Sequence, residues 1–304
     1  MRPNVSRMSR PRQRLLGTLA VMTLIAGCGE EEVDSTPPAG DGGFDSARAF
    51  EDVREQIEIG PRPAGSVASV ELTELLAAKL TDAGVKDVEI QSPNRNVVGI
   101  IPGSDPGYIV LGAHHDTKDI PGFLGANDGA SGVAVVLELA RSLPSPLPGP
   151  SIAIALFDAE EARGEREFSE DGARGSSQYV DLAAEGGGRG APPLGEVGAM
   201  VLFDLVGDCD LQIPYEPNSN LSLYELFADA GGDPFSGRTL PIGDDHVPFV
   251  ERGIPAVDLI DYEFGPGPRP GAYWHTTEDT LDKVCPESLD AVGEAALAVL
   301  PEIR

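Results

Sequence analysis

The order of apolar and polar positions along the chain predicts strands that alternate with helices. Runs rich in β-branched and other apolar residues predict five buried strands, at 96–101, 108–114, 151–159, 199–207 and 254–261. Apolar residues spaced by three and four predict helices at 66–84, 128–143 and 285–300. We therefore expect a single-domain α/β fold, with a mostly parallel, mixed central sheet covered by helices on both faces.

The N-terminal residues do not follow the alternation of strand and helix patterns seen in the rest of the chain. Five arginines precede the apolar run LLGTLAVMTLIAG, which ends at Cys28. A positive stretch, a short apolar stretch and small residues are typical of a secretory signal peptide rather than a membrane span, and we predict one over residues 1–27. The ending LIAGC resembles a bacterial lipobox, whose cysteine is lipidated. We favour this interpretation over an ordinary signal peptide or a chance apolar run because the cysteine stands at the required place.

The composition of the next segment predicts a flexible linker, and a folded domain is predicted after it. Residues 28–44 are acidic, rich in proline and glycine and poor in apolar side chains, so they cannot bury a core. We predict a flexible linker there and one folded domain over residues 45–304. The lipid on Cys28 would anchor this domain to a membrane, in an extracytoplasmic location on the periplasmic or cell-surface side.

Charge narrows the range of partners. The chain has 22 basic and 50 acidic residues, which gives a formal net charge of −28. Such a surface repels the phosphate backbone, so nucleic acid is not an expected partner.

Two cysteines lie within the predicted domain, Cys209 and Cys285. Outside the cytoplasm they could form a disulfide, and as two buried thiols they would pack like small apolar side chains. The sequence leaves both alternatives open. Neither cysteine has the clustered spacing of a zinc–thiolate motif.

Polar side chains capable of metal binding follow three of the predicted strands. His114 and Asp116 end one strand, Asp158, Glu160 and Glu161 follow the next, and Asp204 and Asp208 follow a third. The carboxyl ends of parallel strands meet at one edge of a sheet, so these groups are expected to share one crevice. Imidazole and carboxylate together suit zinc, which indicates a metal site.

Two further motifs carry candidate ligands. Asp128, in GANDGASG, is either a helix N-cap or a ligand, and His275 stands beside Trp274, the one tryptophan of the chain. The motifs GAHHDT, GANDGASG, FDAEEA, FDLVGD and WHTTEDT, in this order, resemble the zinc aminopeptidase and glutaminyl cyclase superfamily, metallopeptidase family twenty-eight. The resemblance covers about residues 50–300 and implies the zinc aminopeptidase-like architecture.

The resemblance also implies roles for individual residues. It places the family's metal ligands on His114, Asp128, Glu161, Asp204 and His275. Asp116 would be the carboxylate behind His114, and Glu160 the general base and acid. In the two-metal members Asp128 would bridge, with Glu161 and His275 on one zinc and His114 and Asp204 on the other.

Two chemistries occur on this scaffold, and both act on peptide or protein N-termini. Aminopeptidases use two zinc ions to hydrolyse the first peptide bond. Animal-type glutaminyl cyclases use one zinc, held by the equivalents of Asp128, Glu161 and His275, and convert an N-terminal glutamine to pyroglutamate and ammonia. The chain resembles the cyclases at DDHVPFVERGIPAVDLI, where Asp244 would share a proton network with Asp204.

Further features favour either the cyclase or the aminopeptidase. Trp274 stands where cyclases have an indole that contacts substrate, and the segment 162–180 is long, as in cyclases. Against this, GANDGASG resembles the aminopeptidase version, Arg166 replaces a second cyclase tryptophan, and Asp258 replaces a cyclase histidine. We predict a glutaminyl-peptide cyclotransferase, with a two-zinc aminopeptidase as the alternative.

A non-catalytic binding module is a third interpretation, because the same fold occurs in receptor ectodomains that have lost their metals. Such proteins lose ligands. Every ligand position and the expected general base are present here, which argues against a binding module.

Overall fold

The computed structural model describes residues 43–303 of the chain. The predicted signal peptide, the lipidated Cys28 and nearly all of the linker lie outside the described residues. The strands are β1 Lys86–Ile90, β2 Val97–Ile101, β3 Tyr108–His114, β4 Ser151–Phe157, β5 Val197–Asp204, β6 Ile213–Tyr215, β7 Phe235–Thr239 and β8 Ala256–Ile260. The α-helices are α1 Ser46–Glu58, α2 Val67–Asp82, α3 Ser131–Ser142, α4 Phe168–Asp171, α5 Arg174–Ala184, α6 Leu221–Gly231, α7 Val247–Glu251 and α8 Pro286–Val299.

Six strands form the central sheet, in the order β1-β2-β4-β3-β5-β8. The pairs β4–β3, β3–β5 and β5–β8 are parallel, whereas β2 pairs antiparallel with both β1 and β4. Strands β6 and β7 form a separate parallel pair. The predicted mixed, mostly parallel α/β sheet is confirmed.

Alternate residues of the central strands β2, β3, β4 and β5 enter two apolar clusters, one on each face of the sheet. In β3, Ile109 and Leu111 pack with α1, α2, α3 and α8, whereas Val110 belongs to the cluster with Tyr179 of α5 and Phe249 of α7. Both faces are therefore covered by helices, as expected for parallel strands. Within residues 43–303, no helix combines the length and apolar character that crossing a bilayer requires.

The folded part begins before the predicted boundary. Phe44, which we assigned to the linker, is 7% exposed, belongs to the main apolar cluster and packs against Gly293 of α8. Its backbone N–H donates to Glu294 Oε1 at 2.6 Å. Asp45 then caps α1 by accepting from the Arg48 N–H. Phe44 is thus part of the domain, because its ring fills space left by the glycine.

A disulfide joins Cys209 and Cys285, which are 76 residues apart in sequence. It decides between the two alternatives that the sequence left open. Cys209 lies in the loop after β5, and Cys285 directly precedes α8. Next to the disulfide, the Cys285 N–H donates to the Gly207 carbonyl at 2.9 Å. The segment that carries His275 is therefore fixed to the segment that carries Asp204.

Candidate metal centre and pocket

The carboxyl ends of β3, β4 and β5 bring most of the predicted site residues together. His114 is the last residue of β3, Asp204 is the last residue of β5, and Glu160 and Glu161 follow β4 closely. Asp128 reaches the same place from the loop before α3, and His275 from the loop after β8. All but His275 are buried.

His114, Asp128 and Asp204 form the first candidate ligand group. His114 Nε2 lies 3.1 Å from Asp204 Oδ1 and 3.3 Å from Asp128 Oδ1. One donor atom from each residue lies within 4.8 Å of the other two. Burial lowers the pKa of His114, but the surrounding carboxylates, led by Asp204, outweigh burial and raise that pKa well above its usual range. The group concentrates negative charge that a cation can neutralise.

Asp128, Glu161 and His275 form the second group. His275 Nε2 lies 3.0 Å from Glu161 Oε1 and 3.4 Å from Asp128 Oδ2. Asp128 therefore belongs to both groups, with one carboxylate oxygen facing each histidine. This is the arrangement in which one carboxylate can bridge two metal ions.

The donor atoms themselves indicate that the site accepts a metal. Asp128 Oδ2 and Glu161 Oε1 are buried, and neither accepts a hydrogen bond of good geometry within residues 43–303. Each oxygen faces His275 Nε2, but burying carboxylate oxygens that accept no hydrogen bond is costly, and a bound cation removes that cost. Two histidines and three carboxylates in two groups of three are a donor set suited to zinc.

Backbone conformation also marks the site. Ala159, Leu205 and His275 have φ values of 61°, 50° and 52°, in the left-handed region that non-glycine residues rarely adopt. Each is a predicted ligand or lies within two residues of one. Such conformations cost energy and cluster at functional sites, because a sharp turn there directs the neighbouring side chain.

Asp116 lies beside His114, as expected, and supports the site in a second way as well. Its carboxylate Oδ1 lies 3.8 Å from His114 Nδ1, and the closer partner of that nitrogen is the Asp116 backbone carbonyl, at 3.2 Å. The carboxylate also accepts from the backbone N–H groups of Glu160 and Glu161, at 3.0 and 3.3 Å. Asp116 therefore fixes the turn that presents both glutamates.

Asp128 is not a helix N-cap. Helix α3 begins at Ser131, its N-cap residue is Ala130, and no side chain caps it. Between the two, Gly129 has φ +92°, and a Cβ there would lie 2.7 Å from the Asp116 carbonyl and 3.2 Å from the His114 ring. Only glycine fits this turn, which brings the Asp128 backbone against the end of β3.

Glu160 and Asp244 are two further buried carboxyl groups of the site. Glu160 Oε2 lies 4.0 Å from His114 Nδ1. Burial raises the pKa of Glu160 well above its usual range; His114 opposes the shift, and repulsion from Glu161 adds to it. Burial, together with repulsion from Asp204, likewise raises the pKa of Asp244. One Asp244 oxygen accepts from the Asp245 N–H, and the other has no hydrogen-bond partner within the described part of the chain.

A pocket of about 390 Å³ opens onto the two ligand groups. Trp274 lies against His275 with ring centroids 3.7 Å apart and an interplanar angle of 15°. Tyr262 contacts the indole edge-on at 5.3 Å. Leu205 and Ile242 continue this apolar wall. The pocket thus has ligands at its base and an apolar side that can hold a short side chain.

The segment 162–173 covers part of the pocket mouth. Arg166 lines the pocket, but its guanidinium pairs with Asp171 at 3.0 Å. Phe168, two residues later, also lines the pocket and lies near Gly243 on the opposite side. Arg166 stands where the cyclases have a tryptophan, and Phe168 is the aromatic residue that this segment contributes to the pocket lining.

Asp258 lies behind the pocket. It is fully buried, and its Oδ2 lies 3.6 Å from His246 Nδ1. The other ring nitrogen of His246 lies 2.9 Å from Glu216 Oε2. The Glu216 carboxylate also accepts from the Ile242 N–H, at 3.4 Å. This buried group holds the wall segment that contains Ile242 and Asp244.

Two residues at the site, Lys118 and Asp279, were not predicted from the sequence. Two others, Asp158 and Asp208, were expected in the crevice but belong to neither ligand group. Lys118 Nζ lies 3.4 Å from Glu161 Oε2, and Asp279 accepts from the Asp128 backbone. Asp158 and Asp208, which also follow strands, accept from the backbone N–H groups of Arg95 and Gly265. Backbone pairing of these carboxylates depends on the folded loops and leaves no signal in the local sequence.

Comparison with known proteins finds glutaminyl cyclases and an aminopeptidase among the proteins similar to this chain. Glutaminyl-peptide cyclotransferase of Drosophila melanogaster is 30% identical over 278 residues, covering 76% of this chain and 75% of that protein. Aminopeptidase YwaD of Bacillus subtilis (strain 168) is 30% identical over 230 residues, 69% of this chain and 44% of that protein. The crystal structure of an Acidobacteriales bacterium glutaminyl cyclase has a TM-score of 0.75 and 28% identity, over 88% of this chain and 97% of that one.

The chain spans less than two thirds of the length of several further curated relatives. The sequence pattern of peptidase family M28 matches residues 96–300. Because this match covers more than half of the chain, the protein belongs to peptidase family M28.

Proposed function

We propose that the protein is a zinc-dependent glutaminyl-peptide cyclotransferase, which converts an N-terminal glutamine to pyroglutamate and ammonia. The chain is a metal-dependent enzyme, and its substrates are peptide or protein N-termini. One zinc ion is assigned to Asp128, Glu161 and His275. The named cyclotransferase and cyclase relatives support this activity.

The observation that carries the proposal is the position of the apolar wall. Trp274 stacks directly on His275, so the wall extends down to the proposed zinc ligand. An enzyme that acts on the first peptide bond needs the backbone at the metal. An enzyme that acts on the side-chain amide of the first residue needs a pocket that carries that side chain to the metal, and this pocket has that form.

The residues of the chain account for the remaining chemistry. Zinc in this position supplies Lewis-acid polarisation of the side-chain amide carbonyl. Glu160 takes a proton from the α-amine, whose nitrogen bonds to the amide carbon, and donates one to the nitrogen that leaves as ammonia. The α-amine loses one proton and the departing nitrogen gains one, so the reaction needs no further proton donor or acceptor. Asp244 and Asp204 lie beside this path as the expected proton network, and Trp274 holds the aliphatic part of the glutamine.

A two-zinc aminopeptidase is the second candidate, and one specific observation favours it. The group His114, Asp128 and Asp204 has donor atoms as close together as the group proposed for the cyclase zinc. With both groups occupied, Asp128 would bridge two metal ions and Glu160 would activate a water molecule for attack on the first peptide bond.

We expect mass spectrometry to decide between these activities. A glutamine-initiated peptide incubated with the zinc-loaded protein should lose one ammonia faster than it cyclises spontaneously, and a chelator should abolish the difference. Release of the whole first residue would establish the aminopeptidase instead. An unchanged peptide with zinc-loaded protein would contradict both activities and favour a binding module.

We also propose that the protein is a lipoprotein anchored through Cys28 in an extracytoplasmic compartment. The disulfide between Cys209 and Cys285 supports an oxidising location, since disulfides persist there and are rare in cytosolic proteins. Metabolic labelling with a palmitate analogue should mark the wild type and the Cys209→Ser variant but not Cys28→Ser. Equal labelling of Cys28→Ser would exclude this anchor.

A further inference from the structure

Asp279 connects the two segments that carry Asp128 and His275. It is fully buried and lies four residues after His275. Its Oδ1 accepts from the Asn127 N–H at 2.8 Å, and its Oδ2 accepts from the Asp128 N–H at 3.0 Å. One carboxylate thus binds two successive backbone amides of the loop that presents Asp128.

Asp116 makes the same kind of contact with the other ligand loop. Its two oxygens accept from the successive N–H groups of Glu160 and Glu161. The backbone that presents each of the ligands Asp128 and Glu161 is therefore held by a buried carboxylate from a distant segment. In both cases the two oxygens of one buried carboxyl group accept from two successive backbone amides, which fixes the orientation of that turn.

Of the two carboxylates, Asp279 and Asp116, Asp279 is expected to have the larger effect on metal binding because of its position. Asp128 is the residue common to both candidate ligand groups, so a shift of its backbone changes both groups together. Asp279 also follows His275 in the same loop, and the Asp279 N–H donates to the Thr276 carbonyl at 3.1 Å. The distance between the carboxylate of Asp128 and the imidazole of His275 is therefore fixed through Asp279.

We propose that Asp279 is a positioning residue that sets the spacing of Asp128 and His275 for metal binding; this rests on the metal site of the proposed function. Asparagine has the same size but one acceptor oxygen, and its NH2 group would face a backbone N–H. Asp279→Asn therefore releases one of the two amides. Residues behind metal ligands typically contribute about 10–100-fold to metal affinity, and we expect a loss of that size.

The chain contains a matched control in Asp261. It is 1% exposed, and its carboxylate also accepts from two backbone amides, those of Gln212 at 2.8 Å and Glu263 at 3.1 Å. It belongs to neither ligand group. Asp261→Asn removes the same kind of interaction from the protein, so it reports the purely structural cost of such a change.

The test measures zinc affinity by competition with a chromophoric chelator, together with the thermal midpoint of the metal-free protein. Asp279→Asn should weaken zinc binding by about 10–100-fold. Asp261→Asn should leave affinity near that of the wild type, although both variants lower the metal-free midpoint. If Asp279→Asn fails to fold, Asp279→Glu, which keeps the charge but displaces the oxygens, should show weakened zinc binding in its place.

The outcomes separate this inference from the proposed function. A wild type that binds no zinc contradicts the metal site itself. A wild type that binds zinc, with unchanged affinity in the folded Asp279 variant, overturns the positioning role and leaves the site intact. Equal weakening in Asp261→Asn also overturns it, because the effect would then be general loosening of the fold.

Discussion

Glu160→Gln is expected to lower turnover by about 10²-fold or more, the usual contribution of a general base or acid. The amide that replaces the Glu160 carboxylate cannot accept a proton, either from the α-amine in cyclisation or from a water molecule in hydrolysis. Zinc content should remain near that of the wild type, because Glu160 belongs to neither ligand group. The fold should also persist, since the backbone N–H of residue 160 still donates to Asp116. Turnover and bound zinc are measured on the same preparation.

Glu167→Gln provides the control for this variant. Glu167 lines the same pocket but is exposed in the covering segment, so the identical chemical change there should leave turnover nearly unchanged. If Glu160→Gln retained wild-type turnover, Glu160 would not be the proton carrier. A loss of zinc in Glu160→Gln would mean that the ligand assignment is wrong.

Much of the fold could be predicted, and the errors at the ends of two strands have a common cause. Strand β3 has the bounds that its apolar run predicts. The predicted strands 151–159 and 199–207 end earlier, at Phe157 and Asp204. Their apolar composition continues, but Ala159 and Leu205 adopt left-handed backbone conformations and turn the chain. These turns present the candidate ligands, so the site interrupts the pattern from which the strands were predicted.

Helix α1 was missed for a different reason. Its buried face includes Asp52 and Gln56 as well as apolar residues. Asp52 pairs with Lys79 of α2 at 2.9 Å, and Gln56 donates to the Ala130 carbonyl. Partners distant in sequence satisfy these polar groups. They interrupt an apolar stripe of Ala49, Val53 and Ile57 that does follow the helical spacing.

The candidate ligands could be named from the sequence, whereas their supports could not. His114, Asp128, Glu161, Asp204 and His275 stand in motifs whose spacing resembles a known family. The role of Asp279 depends on a contact with Asp128 across 151 positions in sequence. The carboxylate of Asp116 lies beside His114, as expected, but its hydrogen bonds to backbone amides after a different strand could not be expected from the sequence. Contacts of this kind exist only once the sheet has brought the loops together.

Glu161→Ala is expected to have the second large effect, the loss of both bound zinc and turnover. Comparing it with His114→Ala determines the number of bound metal ions. Glu161→Ala removes one of three ligands from the group assigned to the cyclase zinc, so stoichiometric zinc and turnover should both be lost. For a one-zinc cyclase, His114→Ala should keep that zinc and reduce turnover by about 10–100-fold, the effect of losing a residue near the ligands. Bound zinc per chain and turnover are measured for both variants.

The two proposed chemistries make opposite predictions for His114→Ala. A two-zinc aminopeptidase would lose one bound ion and its hydrolytic activity, because His114 belongs to the second ligand group with Asp128 and Asp204. Retention of one zinc with residual cyclisation would show that the second group is not used as a metal site. The proximity of Asp204 to His114, at 3.1 Å, would then serve to orient a charged side chain beside Glu160. The same pair of groups thus permits either chemistry, and occupancy of the second group determines which one occurs.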